Sequence, residues 1–299
     1  MSAAPPSRIL VVFNPISGRR RRSLLDEVVR RLRDAGRIVE VSPTEERGDA
    51  ERMAAAASPD RFDAVVVAGG DGTVNEVLNG MAAGSLPLGL IPMGTANVLA
   101  AEVGLSTSAD DIVQTLLDGR KLAIHCGIAG KRRFVMMAGV GFDADVVKGI
   151  DPRLKRATGK FAYVWQSLVE ILRYRPRRFH LSIDGEERDA ASAVFANGHY
   201  YAGRFTCAPM ARLSDDELHV CLFKSAGRLS VARYSLALML GRLHTCRDIE
   251  ILPARQIRVN GVAGRPVQGD GDILAELPVD IRICETGNDL IVPARTLTP

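Results

Sequence analysis

No run of apolar residues in this sequence approaches the roughly 20 that a helix needs to cross a bilayer, so any encounter with lipid is expected from the surface. No C-x-x-C pair occurs either. The five cysteines (Cys126, Cys207, Cys221, Cys246, Cys284) are scattered and odd in number, which speaks against a disulfide framework and fits a reducing cytoplasm. Met1 to Ser7 is a short polar tail without an apolar segment, so no secretory leader is expected. The five histidines (His125, His180, His199, His219, His244) lack metal-ligand spacing and read as structural. A net charge of +4 is too mild for a nucleic-acid binder. Finally, there is no G-x-x-x-x-G-K-[ST], which excludes a P-loop NTPase, and no G-x-G-x-x-G follows the first apolar run.

What is present is enough chain, 299 residues, for two domains with substantial cores. Short apolar runs alternate with helical patterns in the first third, the signature of a parallel α/β sheet. Strands are expected at 8–13, 38–41, 64–68 and 88–91, and helices at 23–32, 49–57, 74–81, 95–103 and 110–117. From about Lys121 short β-like runs dominate: 134–138, 179–183, 193–196, 218–223, 256–259 and 279–284, with helices near 161–174 and 229–243. This predicts a mainly antiparallel second domain, with the boundary between 119 and 127. Arginine is clustered at Arg19 to Arg22, and a second basic stretch runs through Lys148, Arg153, Lys155, Arg156, Lys160, Arg173, Arg175, Arg177 and Arg178. Such clusters attract phosphate or an anionic membrane, or are simply solvated helix faces.

Gly69-Gly70-Asp71-Gly72-Thr73 lies between a strand and a helix, where backbone N–H groups freed by glycine can reach phosphate oxygens and the helix adds its positive end. A carboxylate beside phosphates calls for a cation, so Asp71 points to Mg²⁺. Asn14-Pro15-Ile16-Ser17-Gly18 and Pro92-Met93-Gly94-Thr95-Ala96-Asn97 close two further strands at the same carboxyl edge, where open α/β sheets bind ligands. Thr95 and Asn97 would also serve as helix caps.

In order and spacing these motifs resemble the diacylglycerol kinase and sphingosine kinase superfamily, in particular its soluble bacterial lipid kinases. Gly139-Val140-Gly141-Phe142-Asp143 matches the glycine motif that opens that family's second domain, and Asn197, Gly203, Pro209, Ala211 and Asp215 follow its N…G…P-x-A…D pattern. The resemblance implies a phosphofructokinase- and NAD-kinase-like nucleotide-binding domain over 1–124 and a β-sandwich lipid-substrate domain over 125–289. Residues from about 290 to 299 are expected to pack back on the first domain. It further implies Mg²⁺-dependent transfer of the γ-phosphoryl group of ATP to the hydroxyl of a lipid such as diacylglycerol. Carried over by position, nucleotide contacts fall on Asn14, Thr44, Gly69, Gly70, Asp71, Gly72, Thr73, Val74, Asn75, Gly94, Thr95 and Asn97. Asp215, with the backbone carbonyls of Arg212 and Glu217, would hold a structural Mg²⁺.

The family's general base is the aspartate of a late D-G-E. Asp184-Gly185-Glu186 matches literally but lies too early and reads as a hairpin turn. Asp270-Gly271-Asp272 has the right position, which makes Asp270 the expected base and Asp71 its counterpart in the first domain. Val98, Ala101 and His125 stand where the family carries polar or acidic residues, and Asp216 and Asp272 replace a glycine and a glutamate. A kinase of a soluble substrate such as NAD, and a catalytically silent nucleotide- or lipid-binding regulator, remain the alternatives. The stripe Phe161, Val164, Trp165, Leu168, Ile171, Leu172 is either core or a surface for acyl chains. The expected setting is the cytoplasm, with peripheral contact at the inner membrane face, no nucleic acid, and a homodimer as one arrangement an exposed edge strand would admit.

Overall fold

A computed structural model of the chain describes residues 6–17, 22–150, 160–173 and 177–294, and within 160–173 the side chains of 166–172. The chain divides into two compact units, residues up to Ile124 together with those from Thr286 onward, and His125 to Glu285.

The first unit is built on a six-stranded sheet in the order β2-β1-β3-β4-β20-β5. Its strands are β1 (Arg8–Phe13), β2 (Ile38–Pro43), β3 (Ala64–Gly69), β4 (Leu88–Pro92), β5 (Arg120–Ile124) and the late β20 (Asn288–Val292). All pairings are parallel except β20 with β5. β3 is buried at every position, as a parallel strand covered on both faces must be. The helices are α1 (Arg22–Asp34), α2 (Asp49–Ala55), α3 (Asp71–Gly80), α4 (Val98–Glu102) and α5 (Ala109–Asp118). In α1 the buried Leu25, Val28, Val29 and Leu32 form the inward stripe.

Two helix starts depart from the sequence expectation. α3 begins at Asp71 rather than Val74, so the glycine motif is mostly a first helical turn and not a loop. α4 begins at Val98 rather than Thr95, because Asn97 takes a left-handed conformation (φ 48°) that cannot continue backward as helix. β5 was not expected: its basic, largely exposed R-K-L-A-I is the composition of a protected sheet edge and reads as linker in isolation.

The second unit is a sandwich of two six-stranded sheets, β10-β9-β16-β19-β6-β7 and β15-β14-β11-β8-β17-β18. The first comprises β6 (Gly127–Ala129), β7 (Arg132–Phe134), β9 (Phe179–Ile183), β10 (Glu186–Ala190), β16 (Gln256–Asn260) and β19 (Val279–Ile283). The second comprises β8 (Met137–Val140), β11 (Ser192–Ala196), β14 (Leu218–Phe223), β15 (Ile249–Ala254), β17 (Pro266–Gly269) and β18 (Asp272–Glu276). Every pairing is antiparallel. Phe134, Phe195, Leu181, Val220, Val259 and Ile281, drawn from both sheets, share one buried core. Around it lie a small hairpin, β12 (Tyr200–Tyr201) with β13 (Phe205–Thr206), and helices α6 (Phe142–Gly149), α7 (Lys160–Arg173) and α8 (Arg228–Met239).

The expected strand at 134–138 is split. β7 ends at Phe134 and β8 begins at Met137, because the amides between them bond to a side chain instead of a neighbouring strand. Asp184 and Gly185, both at positive φ, form the two-residue turn of the β9–β10 hairpin, as their sequence suggested.

Of the basic clusters, Arg19, Arg20, Arg21, Arg153, Lys155, Arg156 and Arg175 lie outside the described residues, as does Gly18. Arg22 pairs with Asp26 one turn along α1, and Arg177 pairs with Asp145. The side chains of Phe161, Val164 and Trp165 also lie outside the described set, while Leu168 and Leu172 of the same stripe are exposed rather than core.

Candidate active site

In the first unit the candidate residues follow the carboxyl ends of β1 to β4. The Asn14 amide donates to the Ala68 carbonyl (3.0 Å), and its side-chain Nδ2 donates to Thr73 Oγ1 (3.1 Å). Asn14 Oδ1 accepts from the amides of Ile16 and Ser17, an Asx turn that bends the chain away from the sheet. Thr44 follows β2 and donates its amide to the Phe13 carbonyl (2.8 Å).

Gly69 and Gly70 join this edge to the Gly94 turn. The Gly69 carbonyl accepts from Met93 and Gly94, at 2.9 and 3.2 Å. A Cβ on Gly94 would stand 2.5 Å from the Gly70 Cα, and one on Gly69 would stand 2.7 Å from Thr73. Gly70 has φ −103°, and neither Gly69, Gly72 nor Gly94 takes positive φ. These glycines therefore serve close backbone approach, not the left-handed geometry that glycine motifs also permit.

Asp71 Oδ1 accepts from the Val98 amide at 2.6 Å, and the amides of Asn97 and Leu99 also act on the carboxylate. α4 has no side-chain cap of its own, so Asp71, 27 residues away, caps it. Burial pushes the Asp71 carboxyl above its ordinary range, and those amides pull it partly back. Asn97 Nδ2 closes the turn onto the Gly94 carbonyl (2.9 Å). Val74 and Asn75 are buried, whereas Gly72 in the first turn of α3 and Thr95 in the turn before α4 are exposed. The start of α3, with Gly72 exposed, presents a helix N-terminus suited to phosphate oxygens.

In the second unit Asp270 and Gly271, at φ 50° and 85°, form the turn between β17 and β18. Asp270 Oδ2 accepts from Val135 N (2.7 Å), and Oδ1 accepts from Met136 N (2.9 Å) and Met137 N (3.2 Å). The Asp270 amide in turn donates to the Met137 carbonyl (3.0 Å). Asn197, fully buried, holds the same segment from its carbonyl side, through Nδ2 to Val135 O (2.7 Å) and N to Met136 O (2.8 Å). Three backbone amides thus hold the half-exposed Asp270 carboxylate.

Gln268 and Tyr201 were not singled out from sequence. Gln268 is buried, its Oε1 accepts from the Gly271 amide (3.1 Å), and its Nε2 donates to Asp143 Oδ2. Tyr201 donates its hydroxyl to Asp143 Oδ1. Burial raises the Asp143 carboxyl above its ordinary range, opposed by these two donors. The chain Tyr201–Asp143–Gln268–Gly271 therefore ends at the Asp270 turn. The sequence signal for Gln268 is a polar residue inside the otherwise apolar P-V-Q-G of β17.

Asp215 closes a turn of its own, donating its amide to the Arg212 carbonyl (3.0 Å). The half-buried Asp215 and Glu217 lie near His219, whose imidazole is lowered by burial against the opposing pull of both carboxylates. Among the described residues no three His, Cys, Asp or Glu side chains gather into a metal cluster. His125 Nδ1 lies 2.9 Å from the Cys284 carbonyl, a backbone tie.

An α/β unit with a glycine-linked sheet edge and an antiparallel sandwich on one chain fits a class of kinases, and comparison with known proteins gives the family. The diacylglycerol kinase catalytic domain matches residues 8–129, and the YegS C-terminal NAD kinase beta sandwich-like domain matches residues 136–291. A diacylglycerol kinase of Mycobacterium tuberculosis (strain ATCC 25618 / H37Rv) is 31% identical over 92% of this chain and 91% of its own length. A probable lipid kinase YegS-like of an Enterobacter species is 30% identical over 76% of this chain and 77% of its own. The crystal structure of a putative diacylglycerol kinase from Bacillus anthracis shares the fold, with TM-score 0.84 and 21% identity over 99% of this chain and 98% of that one. The chain belongs to the diacylglycerol kinase and YegS-like lipid kinase family.

Proposed function

We propose that this chain transfers the γ-phosphoryl group of ATP to the hydroxyl of a diacylglycerol-like lipid, with Asp270 as general base. The observation that carries this reading is the Asp270 carboxylate, fixed by three backbone amides at a half-exposed turn in a chain of this family. In this reading the lipid oxygen attacks phosphorus as its proton passes to Asp270, the new O–P bond forms, and the bond to the β-phosphate oxygen breaks to release ADP. The first unit binds the nucleotide through Asn14, Thr44, the 69–75 turn, Gly94, Thr95 and Asn97, and the second binds the lipid. Asp71 acts by holding the Gly94–Asn97 turn and α4 in place, since its carboxylate is committed to α4.

The oxygen donors offered by 212–217 are of the kind a hard cation takes, and the Asp215–Arg212 bond closes residues 212–215 into a turn. Asp215, with the carbonyls of Arg212 and Glu217, would hold a structural Mg²⁺, whose contribution there is to brace this turn. No helix among the described residues is long and apolar enough to cross a membrane. In this reading the chain meets its lipid acceptor at the cytoplasmic membrane surface.

The test is transfer from labelled ATP with Mg²⁺ to a panel of diacylglycerol and other lipids, NAD and sugar phosphates. Label in an organic-extractable product that disappears in Asp270→Asn is expected. Label confined to aqueous products, or no transfer to any acceptor, would overturn the reading.

A further inference from the structure

The outer face of α8 is apolar where a surface helix is ordinarily polar. Its inner face is accounted for. Val231 and Tyr234 are buried, and the Tyr234 ring meets Phe223 edge-on at 5.1 Å. The Tyr234 hydroxyl donates to Asp248 (2.5 Å), which also pairs with Arg233. Burial acts to raise the Asp248 carboxyl, but Ser225, Tyr234 and Arg233 outweigh it and hold the group at about 2. The helix is therefore pinned from one side by a charged carboxylate.

On the other side Leu229 is 88% exposed, Leu236 57%, Met239 64% and Leu240 64%. With the exposed Ala232, positions 229, 232, 236, 239 and 240 follow the spacing of a single helix face. α7 and β13 pack beside α8, and they add exposed Leu168, Leu172 and Phe205. Several large apolar side chains gathered on neighbouring elements mark an interaction surface rather than scattered exposure.

Charge indicates the partner. From Gly227 to Arg247 the chain carries four arginines, at 228, 233, 242 and 247, and no Asp or Glu. Arg228, Arg242 and Arg247 are exposed, as is Arg204 beside Phe205, while Arg233 is neutralised by Asp248. Two copies of this face brought together would bury leucines but also oppose arginine to arginine. An anionic phospholipid surface matches both features, taking the leucines at the acyl boundary and the arginines at the phosphates.

We propose that α8 is a membrane-docking helix whose Leu229–Leu236–Met239–Leu240 face enters an anionic phospholipid surface, with Arg228, Arg242 and Arg204 on headgroup phosphates. This rests on the lipid-kinase reading for its purpose, since the acceptor resides in that surface, but docking itself needs no phosphoryl transfer.

Sedimentation of the full chain with vesicles tests it, using phosphatidylcholine alone or mixed with phosphatidylglycerol. The wild type should sediment with the mixed vesicles, weakly with phosphatidylcholine alone, and less as salt rises. Leu229→Glu with Leu236→Glu should lower partitioning by about tenfold or more. Arg228→Gln with Arg242→Gln should lower it by about tenfold on the mixed vesicles alone. Both pairs should phosphorylate a short-chain diacylglycerol dissolved in water as fast as the wild type. A wild type that binds vesicles yet leaves this soluble acceptor untouched counts against the kinase reading and not against docking. Unchanged partitioning in both pairs, or a wild type that binds neither vesicle, would overturn docking. So would a wild-type dimer that the leucine pair converts to monomer, which assigns the stripe to self-association. All four positions are exposed, so thermal melts should be unaltered; should the leucine pair misfold, the arginine pair decides.

Discussion

Gly70-Asp71-Gly72 and Gly269-Asp270-Gly271 are the same tripeptide, and each aspartate accepts backbone amides from a segment distant in sequence. Their surroundings separate them. Asp71 is the first residue of α3; like Asp270 it is partly accessible, but its carboxylate is committed to the start of α4 and desolvation raises it above its ordinary range. Asp270 sits in a left-handed hairpin turn, half-exposed, holding open a break between β7 and β8. The next five residues take different paths: T-V-N-E-V continues as helix, whereas D-I-L-A-E forms the edge strand β18. A carboxylate that caps a distant helix start is suited to hold position. One held by amides at the tip of a hairpin turn is suited to meet a substrate proton.

The contrast is broken or upheld first by Asp270→Asn and Asp71→Asn in parallel. Loss of a general base costs about 10²–10⁴-fold in kcat, and the Asp270 variant should show it with the ATP KM little changed. Asn tolerates the left-handed turn, so a thermal melt should show a folded chain. Equal loss of kcat in Asp71→Asn would mean that both aspartates act on the reacting groups, and the distinction would fail.

Next in size is Gln268→Leu, which cuts the chain from Asp143 to the Gly271 amide while keeping the volume of the site. Misplacing a reacting group by a fraction of its reach costs about 10–100-fold, and this loss should fall on kcat and leave the ATP KM alone. A change in stability with no change in kcat would show that Gln268 only fills the core. In the first unit Gly94→Ala should act on the other parameter. Its Cβ would meet the Gly70 Cα, a backbone atom that cannot rotate away. Forced overpacking of this kind costs about 1–3 kcal/mol, and here it should raise the ATP KM more than it lowers kcat.

The strands β1, β3 and β4 were legible because continuous apolar runs admit few other readings, and the family motifs placed the turns after them. The role of the glycines was not. Their requirement for close approach comes from Gly94 meeting Gly70, a pairing that no local window contains. Likewise the amides of 135–137 read as strand until Asp270 arrives to take them. β20 joins the first sheet from the far end of the chain, so its partners β4 and β5 lie over 160 residues away in sequence. Long-range backbone partners, not misjudged propensities, account for most of what the sequence concealed.

The smallest effect expected is on the pH dependence of stability, and it bears on the desolvation of Asp71. Burial raises the folded-state pKa of Asp71 above its ordinary 3.8, so the folded chain binds this proton more tightly than the unfolded one. Its contribution is fully present below the unfolded pKa and is lost as pH rises through the folded pKa. Asp63 has the opposite sign. The Arg8 guanidinium and the amides of Arg8 and Ser7 hold it at about 2, so its contribution is present above 3.8 and lost as pH falls toward about 2. In urea titrations, the stability of the wild type relative to Asp71→Asn should therefore grow as pH falls toward 3.8. Relative to Asp63→Asn it should shrink below that value. A wild-type minus Asp71→Asn difference that stays flat with pH would mean the Asp71 carboxylate is solvated in solution, and its difference from Asp270 would then be one of turn geometry alone.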